Sequence, residues 1–100
     1  MATNQKYRAL ADLDRVIHEP ARLMIVAALS GIDWADFVFL LNETGQSKGN
    51  LATHLTKLHE AGYIDINKQF RGKMPQTQYR MTPGGRSAFE SYCKAIKSSL

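Results

Sequence analysis

A single cysteine, Cys93, stands in a chain of 100 residues. One thiol excludes a disulfide framework within the chain and a cysteine-based zinc site. No stretch approaches the roughly 18 consecutive apolar residues that a membrane-spanning helix requires. The segment from Met1 to Tyr7 has no apolar run behind its charges and does not read as a secretory leader. Acidic residues are in the minority, nine against thirteen Lys and Arg, which gives a formal net charge of +4. Repeats, low-complexity tracts and linkers are absent. These shortages point to one reduced, cytoplasmic domain with no membrane partner, and its positive balance favours an acidic partner such as nucleic acid. The hydrophobic share of 44% is enough for one packed core.

Periodicity supplies the elements. Leu10, Leu13 and Ile17 recur at helical spacing, so a first helix is expected over 6–17, stopping before Glu19-Pro20. A second helix starts at Pro20 and is apolar nearly all round from Leu23 to Leu29, which suits the centre of a domain. Gly31 is expected to end it. Asp33 can cap a third helix through Asn42, with Trp34, Phe37, Val38 and Leu41 on one face. Ser47 caps a fourth, from Lys48 to about Ala61, whose inner stripe is Leu51, Leu55 and Leu58 and whose stop is Gly62. The period then changes to two. Ile64, Ile66 and Phe70, and after them Thr77, Tyr79 and Met81, read as the strands of a hairpin with Arg71-Gly72-Lys73-Met74-Pro75 at its tip. Thr82-Pro83 opens a last helix striped by Phe89, Tyr92, Cys93, Ile96 and Leu100.

Helix, turn, amphipathic helix and basic hairpin are, in order, the parts of an α+β winged helix-turn-helix. In that arrangement the second helix enters the major groove and the hairpin reaches the neighbouring backbone. The arc opposite the leucine stripe carries Gly49, Thr53, Thr56 and Glu60, flanked by Asn50 and Lys57. Gly49 leaves room for close approach. Gln46 and Asn50 can pair with an adenine edge, and Lys48 and Lys57 can neutralise phosphates. Arg71 and Lys73 place long cations at the hairpin tip.

Three segments carry a family resemblance. Leu13-Asp14-Arg15-Val16-Ile17-His18-Glu19-Pro20-Ala21-Arg22-Leu23 resembles the opening of small regulators related to the ArsR and MarR repressors. The run from Gly49 to Ile64 resembles the same group's recognition helix and first wing strand. Tyr79-Arg80-Met81-Thr82 with Gly85-Arg86 resembles its second strand and last helix. The chain is similar to the compact winged helix DNA-binding domain branch. That resemblance implies transcriptional regulation through an operator, usually as a homodimer. It places Ser47, Lys48, Gly49, Asn50, Thr53, His54 and Lys57 at the DNA, with the Arg71–Lys73 tip alongside. The Cys-x-Cys pair of metal-sensing ArsR members is missing, so sensing by that route is excluded.

Catalytic and metal motifs find no foothold. Gly45-Gln46-Ser47-Lys48-Gly49 is not a phosphate loop, because Lys48 precedes its glycine, and no Gly-x-Ser-x-Gly elbow exists. His54 and His59 point about 140° apart on a helix and cannot share a metal; His18 is read as a surface or capping residue. Cys93 is expected to be a small buried core or interface residue. Phe39, on the far side of its helix from Phe37, has no assigned role.

The expectation is therefore a single domain over 1–100, without catalytic activity or cofactor, that binds double-stranded DNA and acts on transcription, with repression the expected sense. The alternative is a winged-helix protein-interaction module without DNA affinity. Two apolar stripes, Leu10, Leu13 and Ile17 at one end and Phe89, Tyr92 and Ile96 at the other, exceed what the central core is expected to cover. They are assigned to a homodimer interface over a palindromic site.

Overall fold

The N-terminal stretch does not form the α-helix expected over 6–17. In the computed structural model, which describes residues 6–100, Arg8–Asp12 make a short 3-10 helix and Leu13 then turns extended. Asp14 is the cause. Its Oδ1 accepts from the backbone N–H groups of Val16 (2.8 Å) and Ile17 (3.1 Å), offering the chain an alternative to helical pairing.

Helix α1 (Pro20–Ser30) starts where the proline directs it. Glu19 is extended, and its carboxylate caps the helix by accepting from the Arg22 N–H at 2.9 Å. Ala21, Ile25, Val26 and Leu29 are buried, but Met24 is exposed, so this helix is enclosed on one side only.

The third element begins later than expected. Ala35–Asp36 form a short strand, β1, and helix α2 spans Phe37–Thr44. Asp36, not Asp33, is the cap and accepts from Phe39 N–H. Both aspartates are good caps, and pairing decides between them. Ala35 lies opposite Tyr79 and Asp36 opposite Gln78, which holds residues 35–36 extended. The inner face of α2 consequently uses buried Leu40 and Thr44, with Phe37 and Leu41 partly covered, while Val38 is exposed. Trp34 lies outside the helix, and the Arg80 guanidinium sits 4.5 Å from its ring centre.

Helix α3 (Lys48–Glu60) follows the left-handed Gly45 and is capped by Ser47, whose hydroxyl accepts from Asn50 N–H. Leu51, Leu55 and Leu58 are buried as their spacing predicts, each contributing about 1.5–3 kcal/mol of transfer free energy. The helix stops at Gly62 (φ +80°), where Gly62 N–H bonds to His59 O and Tyr63 N–H reaches back to Leu58 O. That pair of bonds is a Schellman stop.

Strands β2 (Ile64–Arg71) and β3 (Met74–Met81) pair antiparallel from Ile64–Met81 to Arg71–Met74. The tip is tighter than expected, only Gly72 and Lys73. Positive φ at Gly72 alone marks a type II′ turn, which matches the twist of the flanking strands. With β1 the sheet has three strands in the order β1-β3-β2, one more than the expected two-stranded wing. Helix α4 (Pro83–Ser98) is capped by Thr82, whose hydroxyl accepts from Gly85 N–H and donates to Gly62 O.

The core has two parts. The larger gathers Ile25, Val26 and Leu29 of α1, Leu40 of α2, the α3 leucines and Ile64, Tyr79 and Met81 of the sheet. The smaller joins Leu13 and Ile17 to Tyr92 of α4, where the Tyr92 hydroxyl also hydrogen-bonds His18 Nδ1 at 2.9 Å. Tyr63 touches both parts, and its hydroxyl donates to Asp14. That bond, with burial and the Asp14 charge adding to it, pushes the Tyr63 phenol up to about 12.

Two outcomes follow from this junction. A Cβ on Gly85 would lie 2.1 Å from the Tyr63 carbonyl oxygen, and backbone cannot yield as a flexible side chain can. Gly85→Ala is therefore expected to lower unfolding free energy by about 2–3 kcal/mol in urea titration, against little effect for Gly84→Ala at its neighbour. In an ultraviolet titration, the tyrosinate step lost on Tyr63→Phe should lie near pH 12, above the ordinary value of about 10. Because the folded pKa is raised, the stability it reflects is complete below about pH 10 and is lost as pH rises through about 12.

Candidate nucleic-acid interface

The exposed arc of α3 is built from its first turn outward. Ser47, Lys48, Gly49, Asn50, Thr53 and Lys57 are all exposed, and a Cβ at Gly49 would meet nothing within 4 Å. The first turn of α3 has no acidic residue, and none occurs from Thr44 to His59. Positive partial charge at the helix start, Lys48 and Lys57 thus add without internal cancellation. The second basic element is the hairpin. From Ile66 to Phe89 there is again no acidic residue, and Lys68, Arg71 and Lys73 are exposed toward its tip. Arg80 does not join them, because Asp65 holds its Nε at 3.2 Å while its guanidinium covers Trp34.

Gln46 takes a different place from the one expected. It is half-buried, and its Nε2 donates to the Ala21 carbonyl (3.2 Å). Its Oε1 accepts from Asn50 Nδ2 at 3.0 Å. A carbonyl only accepts, so the Gln46 nitrogen must face Ala21 and its oxygen must face Asn50. The Asn50 amide is oriented in turn, with its Oδ1 and second N–H left open. Gln46 therefore positions Asn50, and both ends of its amide are already used.

Thr53 and Thr56 donate their hydroxyls to Gly49 O (2.9 Å) and Ala52 O (3.0 Å). Their oxygens and methyl groups remain as an acceptor and an apolar contact, the features that meet an exocyclic amine or a thymine methyl.

His54 also departs from expectation. The family resemblance places it at the DNA, yet its side chain is only 12% exposed. Arg22 Nη1 donates to its Nδ1 at 3.1 Å, and its Nε2 lies 3.7 Å from Glu19 Oε2. Because guanidinium has only donors, the ring proton sits on Nε2, facing the carboxylate. Burial alone would push the Glu19 carboxyl up, but the Arg22 and Ala21 backbone bonds and the nearby Arg22 charge hold it below its ordinary value. Arg22 also donates from Nε to Val16 O (2.5 Å). The signal was present in the sequence as Glu19 and Arg22 three apart at a helix start, but their spatial neighbour was not.

At the far end, three of the six residues assigned to an interface are covered inside the chain. Leu13 and Tyr92 are 8% exposed and Ile17 is 0% exposed, since they pack on one another. Leu10, Phe89 and Ile96 keep open surface. Phe89 and Ile96 line an apolar groove with Leu23, Tyr92, Cys93 and Leu100, of which Leu23 alone lies outside the stripe expected on the last helix. Cys93 is exposed in this groove and is no core residue of the single chain.

Comparison with known proteins agrees with this architecture. The family described as winged helix DNA-binding domain matches residues 21–100. An uncharacterised protein of Methanocaldococcus jannaschii is 31% identical over 82 residues, covering 82% of this chain and 89% of that protein. A transcriptional regulator homologue from Pyrococcus horikoshii OT3 superposes with a TM-score of 0.84 at 22% identity, covering 91% of this chain and 92% of the other. A MarR-family regulator from Silicibacter pomeroyi gives 0.69 at 16% identity over 94% of this chain, which spans only 62% of that regulator's length. The last two likenesses are likenesses of fold. With its helix-turn-helix and wing in place, the chain belongs to the winged helix DNA-binding domain family.

Proposed function

We propose that the protein is a transcriptional regulator that binds double-stranded DNA through α3 and the β2–β3 wing, as a homodimer on a palindromic operator, and that it carries no catalytic activity. The observation that carries this reading is the pairing of two basic surfaces, one on an exposed helix of groove-compatible width with no acidic residue before Glu60 and one on the hairpin beyond Asp65. Repression is the expected sense. Leu10, Phe89 and Ile96 supply the dimer contact, extended by Leu23, Cys93 and Leu100. Leu13, Ile17 and Tyr92 support it from beneath. An apolar groove lined by a partly exposed helix is the surface that a second copy would cover.

Selection of bound sequences from random duplex DNA tests the reading directly. Enrichment of a two-fold symmetric site, with affinity falling steeply as salt rises, is the expected result. Retention of no duplex at low salt would leave the protein-interaction module as the better account.

Asn50→Ala should cost about 1–3 kcal/mol on the selected site and far less on random DNA. Gln46→Ala should lower the same preference, yet add nothing once Asn50 is alanine, because Gln46 acts through the Asn50 amide. An additive double mutant would return Gln46 to the role of independent reader. Arg71→Ala with Lys73→Ala should weaken binding on every sequence and shallow the salt slope by about 1–2 units.

Sedimentation equilibrium at micromolar concentration should give twice the 11.2 kDa chain mass. The two α3 helices of such a dimer should then serve half-sites about 34–36 Å apart. A single-chain mass on and off DNA would remove both dimer and palindrome.

A further inference from the structure

The hairpin carries more than its charge requires. Phosphate contact needs only Lys68, Arg71 and Lys73, yet Phe70 and Met74 stand at the same tip, 75% and 70% exposed. They are among the largest exposed apolar side chains of the described residues, and Pro75 beside them is exposed as well. A cross-strand staple explains little of this. Phe70 lies opposite Pro75, but a ring used to staple the hairpin would be covered by its partner, and this one is not.

The arrangement is that of a blade. Cross-strand partners share a face of a ladder and successive residues alternate between faces. Phe70 and Pro75 therefore lie on one face of the tip, with Met74 and Arg71 on the other. Apolar surface is presented on both sides of the ribbon, with the cations at its corners and the Gly72-Lys73 turn at its apex. A flat partner would meet only one of these faces. A partner that receives only the tip would meet side chains from both.

The blade also projects. Strand β1 pairs with β3 only at Tyr79 and Gln78, and the ladder continues past it from Lys68–Thr77 to Arg71–Met74. At about 3.3 Å per residue, those last rungs extend roughly 13 Å beyond the three-stranded part of the sheet. The minor groove is about 6 Å wide and 7.5 Å deep, too narrow for the ribbon but open to side chains at its tip.

Resting on the DNA-binding reading above, we propose that Phe70 and Met74 form a minor-groove wedge, inserted at a base step next to the α3 site, that unstacks the step and kinks the duplex. Lys68, Arg71 and Lys73 complement the phosphates on either side of the groove, and no acidic residue of the hairpin beyond Asp65 opposes them. Apolar wedges of Phe, Met or Pro bend duplexes by about 20–90°, most readily at flexible pyrimidine–purine steps. The wedge would therefore give sequence preference at positions that α3 does not touch.

The test uses the full chain and a 40-base-pair duplex bearing the selected site, labelled at both ends for energy transfer. A second series carries 2-aminopurine at single positions flanking the α3 site. Wild-type protein should shorten the end-to-end distance and brighten 2-aminopurine at one flanking step in each half-site. Phe70→Gln with Met74→Gln should abolish both signals and weaken binding about tenfold, while leaving the salt slope and the thermal midpoint unchanged. Arg71→Ala with Lys73→Ala, by contrast, should shallow the salt slope. A straight wild-type complex, or a bend that survives the Gln pair, overturns the wedge while leaving DNA binding intact. A Gln pair that halves the sedimenting mass without changing the bend makes the tip a contact between chains and overturns it too. Failure of wild-type protein to bind any duplex removes the underlying reading, and the wedge with it.

Discussion

Tyr63 is the joint on which the rest of the protein turns. Its backbone N–H closes α3 at Leu58, and its carbonyl accepts from Thr82 N–H at the head of α4. Its hydroxyl donates to the Asp14 carboxylate, which shapes the N-terminal turn, and its ring lies against both halves of the core. Gly85 lies against the same carbonyl, so close that no side chain fits there. One residue thus sets the angle between α3, the strand that becomes the wing and the terminal elements behind them. Each of its hydrogen bonds is either a backbone bond or a bond to a charged group. Such bonds tolerate little displacement, and hydrogen bonds to charges contribute more than neutral ones.

Much of this was legible from residue order. The Leu51, Leu55 and Leu58 stripe, the Ser47 cap, the Gly62 stop and the alternation on either side of Gly72 all act within a few residues, and the elements follow them. What was not legible depends on residues far apart. Asp36 replaced Asp33 as the cap because a strand some forty residues later pairs with its backbone. The N-terminal helix gave way to a turn because the Asp14 side chain bonds locally and is itself held by Tyr63. Apolar spacing alone did not distinguish a stripe that its own chain covers from one that it leaves open. Ile17 and Tyr92 cover each other, and Leu100 is left out at 88% exposure.

The candidate DNA surface divides in the same way. Exposed Lys48, Gly49, Asn50, Thr53 and Lys57 follow from helical geometry. Gln46 and His54 sit at the edge of that surface, where a polar side chain can face the groove or its own protein. Both face the protein. Each bonds to the first turn of α1, Gln46 to the Ala21 carbonyl and His54 to the Arg22 guanidinium. The two residues hold α3 against α1 rather than adding to its open face, an assignment that needs α1 in view.

Arg22 carries this further. One guanidinium bonds to Val16 O, to Arg15 O and to His54, and so spans the N-terminal turn and α3 at once. In mechanical terms it is a crank pin. Hydrogen bonds to a planar donor lose most of their strength within a few tenths of an ångström or a few tens of degrees. A shift of residues 15–16 therefore either breaks one of these bonds or carries α3 with it. The terminal turn and the open face of α3 are consequently coupled, and the pitch of α3 is set partly by whatever holds residues 15–16 in place.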